Sequence, residues 1–211
     1  MHDRIFPASS DLPTLIYRPN LVRLRIRRAI DILTAVFLLV FTAPVLMLAC
    51  LAILIEDGRP VFFAQRRAGR FERTFTIFKL RTMRAEVCVD SPSPTHGADP
   101  RITTVGKFLR KTSIDELPQL FNVLCGDMTM IGPRPEMPIV VRGYARWQHL
   151  RHLATPGLTC IWQATCRSRI PLNHPDATVL DLDYIQHASP MLDVALLART
   201  VLSVVLQRGA Y

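Results

Sequence analysis

Two adjacent carboxylates, Asp115 and Glu116, sit in the run KTSIDELPQL, just after Arg110 and Lys111. A carboxylate beside helix N–H groups and basic side chains is held ionised, and an ionised Asp can bind Mg²⁺ or attack phosphorus. The same spacing admits a structural reading. Ser113-x-x-Glu116 matches a capping box, and acidic residues suit the first turn of any helix. Spacing alone leaves both readings open. A second candidate is Gly132-Pro133-Arg134-Pro135-Glu136, where two prolines stiffen the backbone around one arginine. Such a turn either ends a strand or presets a guanidinium for bidentate contact with phosphate. A third is TIFKLRTM, in which Lys79 and Arg81 place positive charge beside a strand end, where a phosphate can be held.

Several elements must position these groups. Leu117, Leu120, Phe121 and Leu124 recur at helical spacing, which predicts a helix with one buried face. Pro118 is tolerated only near a helix start, so that helix begins at about Ser113 to Asp115. Upstream, PVFFAQ and the alternating Phe71, Phe75, Ile77 and Phe78 predict short strands turning at Gly69, a β-hairpin that carries arginines. From Arg59 to Arg84 the net charge is +7, with Glu72 the only acid, so most of these arginines also suit a patch drawn to anionic lipid. Ser, Pro, Gly and Asp crowd residues 87–103, which read as an exposed connector. The C-terminal SPMLDVALLARTVLSVVLQRGAY suits either the membrane interface or a protein-packed helix. Trp147 and Trp162 are interface anchors or core residues on equal terms.

The first 26 residues, with Pro7, Pro13 and Pro19, read as an irregular leader without the apolar run of a cleavable signal. From Ile32 to Ile55 there are 24 residues without a charge, framed by Asp31 and Glu56. As a straight helix they would extend roughly 36 Å, enough for a hydrocarbon core of about 30 Å. Yet Arg23, Arg25, Arg27 and Arg28 precede the stretch while Arg59, Arg66, Arg67, Arg70 and Arg73 follow it. Basic flanks mark the cytoplasmic side, so basic residues at both ends favour a segment that enters and leaves by one face over a kinked span. Pro44 sits where such a turn belongs and removes a backbone hydrogen bond there. The Thr42 hydroxyl is the candidate partner for a freed carbonyl.

Composition narrows the function classes. The 211 residues suit one domain, or one domain plus an appendage. At 49% hydrophobic residues and a mean hydropathy of +0.21, the chain is too apolar for disorder. With 26 basic against 17 acidic residues its charge is +9, which points to lipid headgroups, phosphates or nucleic acid. No helix-turn-helix, zinc or stacking pattern accompanies that charge, so a nucleic-acid partner is not expected. Cys50, Cys88, Cys125, Cys160 and Cys166 include no C-x-x-C and signal neither a disulfide framework nor a zinc site, which fits a reducing, cytosol-facing compartment. His149 and His152 lack the acidic neighbour of the metalloprotease pattern and read as surface residues.

The blocks RRAIDILTAVFLLVFTAPVL, PVFFAQRRAG, FTIFKLRTM, VGKFLRKTSIDELPQLFNVLCGDMTMIGPRPE, TPGLTCIWQ and LDLDYI occur in that order from about Arg27 to Tyr211. Together they resemble the bacterial sugar transferases, the monotopic polyprenyl-phosphate phosphoglycosyl transferases, and in particular the small, minimal members. The resemblance implies an α+β, mostly helical monotopic membrane protein. Residues 1–26 would be the leader, 27–57 a re-entrant helix-break-helix turning at Pro44, and 58–211 a cytosolic catalytic domain with a small β-hairpin on the inner membrane of a bacterium. It implies a ping-pong reaction in which Asp115 attacks the β-phosphate of a UDP-sugar, UMP leaves, and undecaprenyl phosphate takes the phosphosugar. This would be the first step of exopolysaccharide or glycoconjugate assembly, alongside other assembly enzymes. Asp115 and Glu116 match the family's dyad and would share Mg²⁺; Lys79, Arg81, Arg110 and Arg134 match basic motif positions and would contact phosphate or nucleotide.

Three departures bear on that reading. Ala43-Pro44 replaces the family's frequent Ser-Pro. Cys160 and Cys166 stand at glycine positions of the Pro156–Arg167 block, a costly exchange where positive φ is required. Glu72 also stands where many members carry Gly. An alternative therefore accompanies the transferase: a scaffold of a polysaccharide assembly complex that keeps the fold and is catalytically impaired.

Overall fold

The computed structural model describes residues 21–84, 86–87, 99–165 and 175–205. It opens with a 37-residue helix, α1 (Leu21–Asp57). The strands β1 (Phe62–Ala68) and β2 (Thr74–Leu80) follow, paired antiparallel with Ala68 opposite Thr74 and Phe62 opposite Leu80. This is the expected hairpin, closed by a 3₁₀ turn at Arg70–Glu72. Next come α2 (Thr104–Thr112), a 3₁₀ turn at Ile114–Glu116, and α3 (Gln119–Cys125). The strand β3 (Thr129–Ile131), α4 (Pro138–Val141), a 3₁₀ helix at Arg146–Leu153 and β4 (Gly157–Thr159) lead to α5 (Ile161–Thr165), α6 (Pro175–His187) and α7 (Pro190–Val205). Among the described residues the fold is mostly helical with two small sheets. The second sheet pairs β3 and β4 in parallel, at a separation only glycine permits: a Cβ on Gly157 would lie 2.0 Å from the Gly132 nitrogen.

Both ends of α1 are bolted to the same body. At its start Arg27 donates to the Ile131 carbonyl, Arg28 Nη2 to Leu124 O at 2.8 Å, and Asp31 accepts from Met130 N at 3.1 Å and Thr129 Oγ1 at 2.6 Å. At its end Glu56 caps α2, accepting from Thr104 N at 2.7 Å and Val105 N at 2.8 Å. Between the bolts one narrow face packs inward. Ala35 joins Ile77, Leu120, Val123, Met130 and Leu196 in the main core, and Ala49 and Ile53 join Leu80 and Leu109 in a second cluster. The other face stays apolar and exposed, with Phe41 at 72% and Phe37, Val40 and Leu48 nearby, and the helix is long and apolar enough to cross a membrane.

Four expectations need correction. Helix α1 begins at Leu21, inside the segment read as leader; residues 1–20 of that leader lie outside the described residues. It also runs through Pro44 without a break in its assignment, because proline removes one donor and an apolar setting strongly favours keeping every other backbone bond. Thr42 Oγ1 donates to Leu38 O at 2.7 Å. Phe121, grouped with the buried leucines by spacing, is 51% exposed. His152 is buried, its Nδ1 3.2 Å from Gly69 O and its ring stacked on Tyr144, while His149 Nδ1 lies 2.6 Å from Glu72 Oε1. Most of the expected connector, residues 88–98, lies outside the described residues. Trp162 is a core residue, and α7 buries Leu196 while exposing Val201 and Leu202.

Candidate active site

The helical run expected from Ser113 onward is divided. Thr103 Oγ1 caps α2 by accepting from Gly106 N at 2.9 Å, and α2 ends where Ser113 adopts a left-handed conformation, φ 57°. The chain then makes one 3₁₀ turn before Pro118 admits α3. Ser113 makes no side-chain cap, so the capping-box reading fails. Asp115 and Glu116 are both 8% exposed on that turn, between two helices rather than at the start of one.

Glu116 is held by charge. Its Oε1 accepts from Lys79 Nζ at 2.9 Å and from Arg134 Nη2 at 2.8 Å. Gln163 Nε2 lies 3.5 Å from Oε2. Lys79 reaches the cluster because β2 is pinned from behind by the buried Asn122, whose Oδ1 accepts from Phe78 N at 3.1 Å and whose Nδ2 donates to Thr76 O at 2.7 Å. Arg134 is fixed through its backbone, since its carbonyl accepts from Arg151 Nη2 at 2.9 Å. Arg67 joins from β1, donating to Gln65 Oε1 at 2.6 Å and to Pro135 O at 3.3 Å.

The three cations respond differently to burial. Burial lowers Lys79, and the attraction of Glu116 only partly restores it. Burial also pulls on Arg134, but the charge and hydrogen bond of Glu116 outweigh it and the guanidinium is raised. Arg67 falls to about 10, through burial first and then the neighbouring Arg134. The cluster therefore sets Lys79, Arg134 and Arg67 around Glu116, with Asp115 on the same turn and Glu136 4.0 Å from Arg67, so a phosphate or diphosphate arriving there would meet three cations.

Of the six residues expected from sequence to act here, the structure gathers Glu116, Lys79 and Arg134 into direct contact, with Asp115 on the same turn and in the field of Lys79. Arg81 is engaged elsewhere: buried, it binds Asp57 Oδ2 at 3.0 Å and the carbonyls of Asp57 and Gly58 at 2.8 and 2.9 Å, and so locks the end of α1. Arg110 Nε donates to Thr82 Oγ1 at 2.8 Å. Sequence reasoning did not single out Arg67, Gln163, Arg151 or Asp181, although the blocks PVFFAQRRAG, TPGLTCIWQ and LDLDYI contain three of them.

Among the described residues no group of three or more His, Cys, Asp or Glu converges. Mg²⁺ commonly uses one or two carboxylates and completes its shell with water and substrate phosphates. Such an ion would need only Asp115 and Glu116 from the protein, and a cage of three or more such groups is absent from the described residues.

The structure bears on the departures at Glu72 and Cys160. Positive φ among non-glycine described residues occurs at Phe71, Glu72 and Ser113. Glu72 (φ 60°) thus occupies a glycine-like conformation and offsets part of its strain through His149. Cys160 does not, so no backbone strain attends the cysteine there; burial pushes its thiol up to about 12, and its Sγ lies 3.4 Å from Gln163 Oε1. Cys166 lies outside the described residues.

Comparison with known proteins places the chain in a family. The family described as bacterial sugar transferase matches residues 22–207. The chain is 39% identical over 196 residues to an undecaprenyl-phosphate glucose phosphotransferase of Komagataeibacter xylinus, covering 88% of this chain but 37% of that protein. It is 36% identical over 184 residues to the uncharacterized sugar transferase EpsL of Bacillus subtilis strain 168, covering 87% and 89% respectively. It is 36% identical over 209 residues to a UDP-N-acetylgalactosamine-undecaprenyl-phosphate N-acetylgalactosaminephosphotransferase of Aeromonas hydrophila, covering 91% of this chain and 46% of that protein.

Proposed function

The chain belongs to the bacterial sugar transferases, and from that membership we propose that it moves a sugar-1-phosphate from a UDP-sugar to undecaprenyl phosphate. The observation that carries the reading is the Glu116 carboxylate gripped by Lys79 and Arg134, one residue from Asp115. Asp115 attacks the β-phosphorus of the donor; a P–O bond to the carboxylate forms, the P–O bond to the α-phosphate breaks, and UMP leaves. An oxygen of the lipid phosphate then attacks the same phosphorus and frees Asp115, so the lipid carries the diphosphate-linked sugar. A carboxylate nucleophile divides one exchange between two bulky substrates into two steps. Lys79 and Arg134 orient the phosphates and neutralise charge, which is most of what phosphoryl transfer asks of a protein. Mg²⁺, held by Asp115 and Glu116 with the diphosphate, would add further charge neutralisation. Arg67 adds a third positive group at the same place.

The reaction needs a soluble donor and a lipid acceptor at one plane. We place the chain on the cytosolic face of the inner membrane, with both ends of α1 on that face. The attachment of both ends of α1 to one body supports this, since a spanning helix would leave one end on the far side. Labelling of single cysteines placed near each end should report the same side; opposite sides would overturn the topology. The relatives act on glucose and N-acetylgalactosamine by name, so the sugar is a matter for assay. The scaffold alternative gains no support at Cys160, where the backbone is unstrained. Purified protein with Mg²⁺, undecaprenyl phosphate and a panel of UDP-sugars should release UMP with at least one of them and exchange labelled UMP into that donor without lipid. Folded protein that does neither would refute the transferase reading.

A further inference from the structure

Beside the charged cluster lies a cavity of about 280 Å³ whose character differs from the rest of the site. Its walls are apolar: Leu38 of α1, Leu117, Met130, Leu158, and Leu197 and Val204 of α7. The three threonine hydroxyls on its surface are already committed. Thr112 Oγ1 donates to Phe108 O at 2.9 Å, and Thr200 Oγ1 donates to Leu196 O at 2.8 Å and meets Thr159 Oγ1 at 2.7 Å. A polar ligand would find few partners there. Glu116 and Gln163 also line it, so the cavity opens onto the carboxylate that Lys79 and Arg134 grip. It is thus an apolar slot with a charged end, and one wall is the membrane-associating helix.

Resting on the transferase reading, we infer that this slot seats the first isoprenoid units of the lipid acceptor, with the phosphate monoester at the Glu116 end. Size agrees: an apolar cavity of about 150 Å³ holds one benzene ring, so 280 Å³ suits about two five-carbon units. Continuity agrees as well, because the chain attached to a phosphate that must reach Asp115 has to leave that point through apolar surroundings. Leu38 belongs to the lipid-associating α1 and gives the remainder of the chain a path into the bilayer. A phospholipid acyl chain would fill the walls equally well but brings no phosphate monoester to the charged end.

The test uses the full chain in nanodiscs containing phosphatidylglycerol. A polyprenyl phosphate carrying a photoreactive group on its second isoprenoid unit should label residues of α7 and of the 112–117 turn. Undecaprenyl phosphate should suppress that labelling at least tenfold more effectively than added phosphatidylglycerol. Equal competition by the phospholipid, or labelling confined to other segments, would overturn the seat. Kinetically, Val204→Trp should raise the acceptor KM tenfold or more relative to the rate of labelled-UMP exchange, which needs no acceptor. Val201→Trp, at an exposed position on the same wall, is the second variant should the first not fold. A matching fall in both half-reactions, or no change in acceptor KM, would count against the slot. The two readings separate cleanly: wild-type protein without exchange defeats the transferase, whereas photolabelling reads the slot without turnover.

Discussion

Two buried ionic clusters meet at one residue of the molecule and use charge in opposite ways. In the first, Lys79 and Arg134 both bond a single oxygen of Glu116, their side chains remain partly exposed, and a cavity opens beside them. In the second, Arg151 pairs with Asp181; both are 2% exposed, and Arg151 also donates to Tyr144 Oη at 2.6 Å. Burial pulls Arg151 down, but the attraction of Asp181 outweighs it and the arginine is raised, while burial pushes Asp181 up to about 6 against the pull of Arg151. Its outward contact is the hydrogen bond to the Arg134 carbonyl. A one-to-one pair sealed from water sets a position. Two cations that share one carboxylate oxygen beside an open cavity can turn to something that arrives.

Substitutions should separate activity from stability along that line. The largest effect is expected at Asp115→Asn, which removes the proposed nucleophile: UMP exchange should fall on the order of 10⁴-fold or more, with thermal unfolding little changed. Exchange that persists would remove Asp115 from that role. Arg151→Met should act the other way. It leaves Asp181 buried without its partner and takes a donor from Tyr144 and Arg134, so stability should fall by about 3–5 kcal/mol, measured by denaturant or thermal unfolding in detergent. A variant as stable as wild type would show that the closed pair is not structural. Arg134→Lys sharpens the contrast at the shared residue. The charge stays but the fork is lost, so activity should drop about 10²-fold with unfolding nearly unchanged; a large loss of stability would mean the first cluster is structural too.

The sequence made part of this legible, and the reason lies in the range of the interactions. The hairpin was readable because its alternation and its turn at Gly69 are local. The dyad was readable as a pair of carboxylates, but its surroundings were not: the capping-box spacing was correct and irrelevant, because Lys79 from 37 residues away and Arg134 from 18 hold the Glu116 carboxylate. Arg81 and Lys79 looked alike two residues apart, yet only where the end of α1 comes to rest separates a helix lock from a site cation. Pro44 marked a weak point in α1 without ending it, since a single missing donor is a small loss against the bonds around it. Asn122 and Arg151 gave no local sign, because each acts on a backbone group distant in sequence.

The smallest expected effect lies at the edge of the closed cluster, in His152. Its ring is buried, its Nδ1 faces Gly69 O, and Arg151 is close by. Burial first, and then the arginine's charge, hold its pKa below the ordinary value near 6.5. In the unfolded chain the imidazole takes up a proton as pH falls through about 6.5, whereas the folded chain resists protonation until lower pH. The unfolded state therefore binds more protons in that window, and folding stability should fall with acidification. Above it both states are neutral and the contribution vanishes. His152→Asn keeps an N–H donor for Gly69 O and removes the titration. Its unfolding free energy, followed from pH 7.5 down to 5, should decline less steeply than that of wild type, while the two profiles run parallel above pH 7. Parallel profiles throughout would mean that the imidazole titrates alike in both states, and that the positive charge of the sealed Arg151–Asp181 pair is not felt at its border.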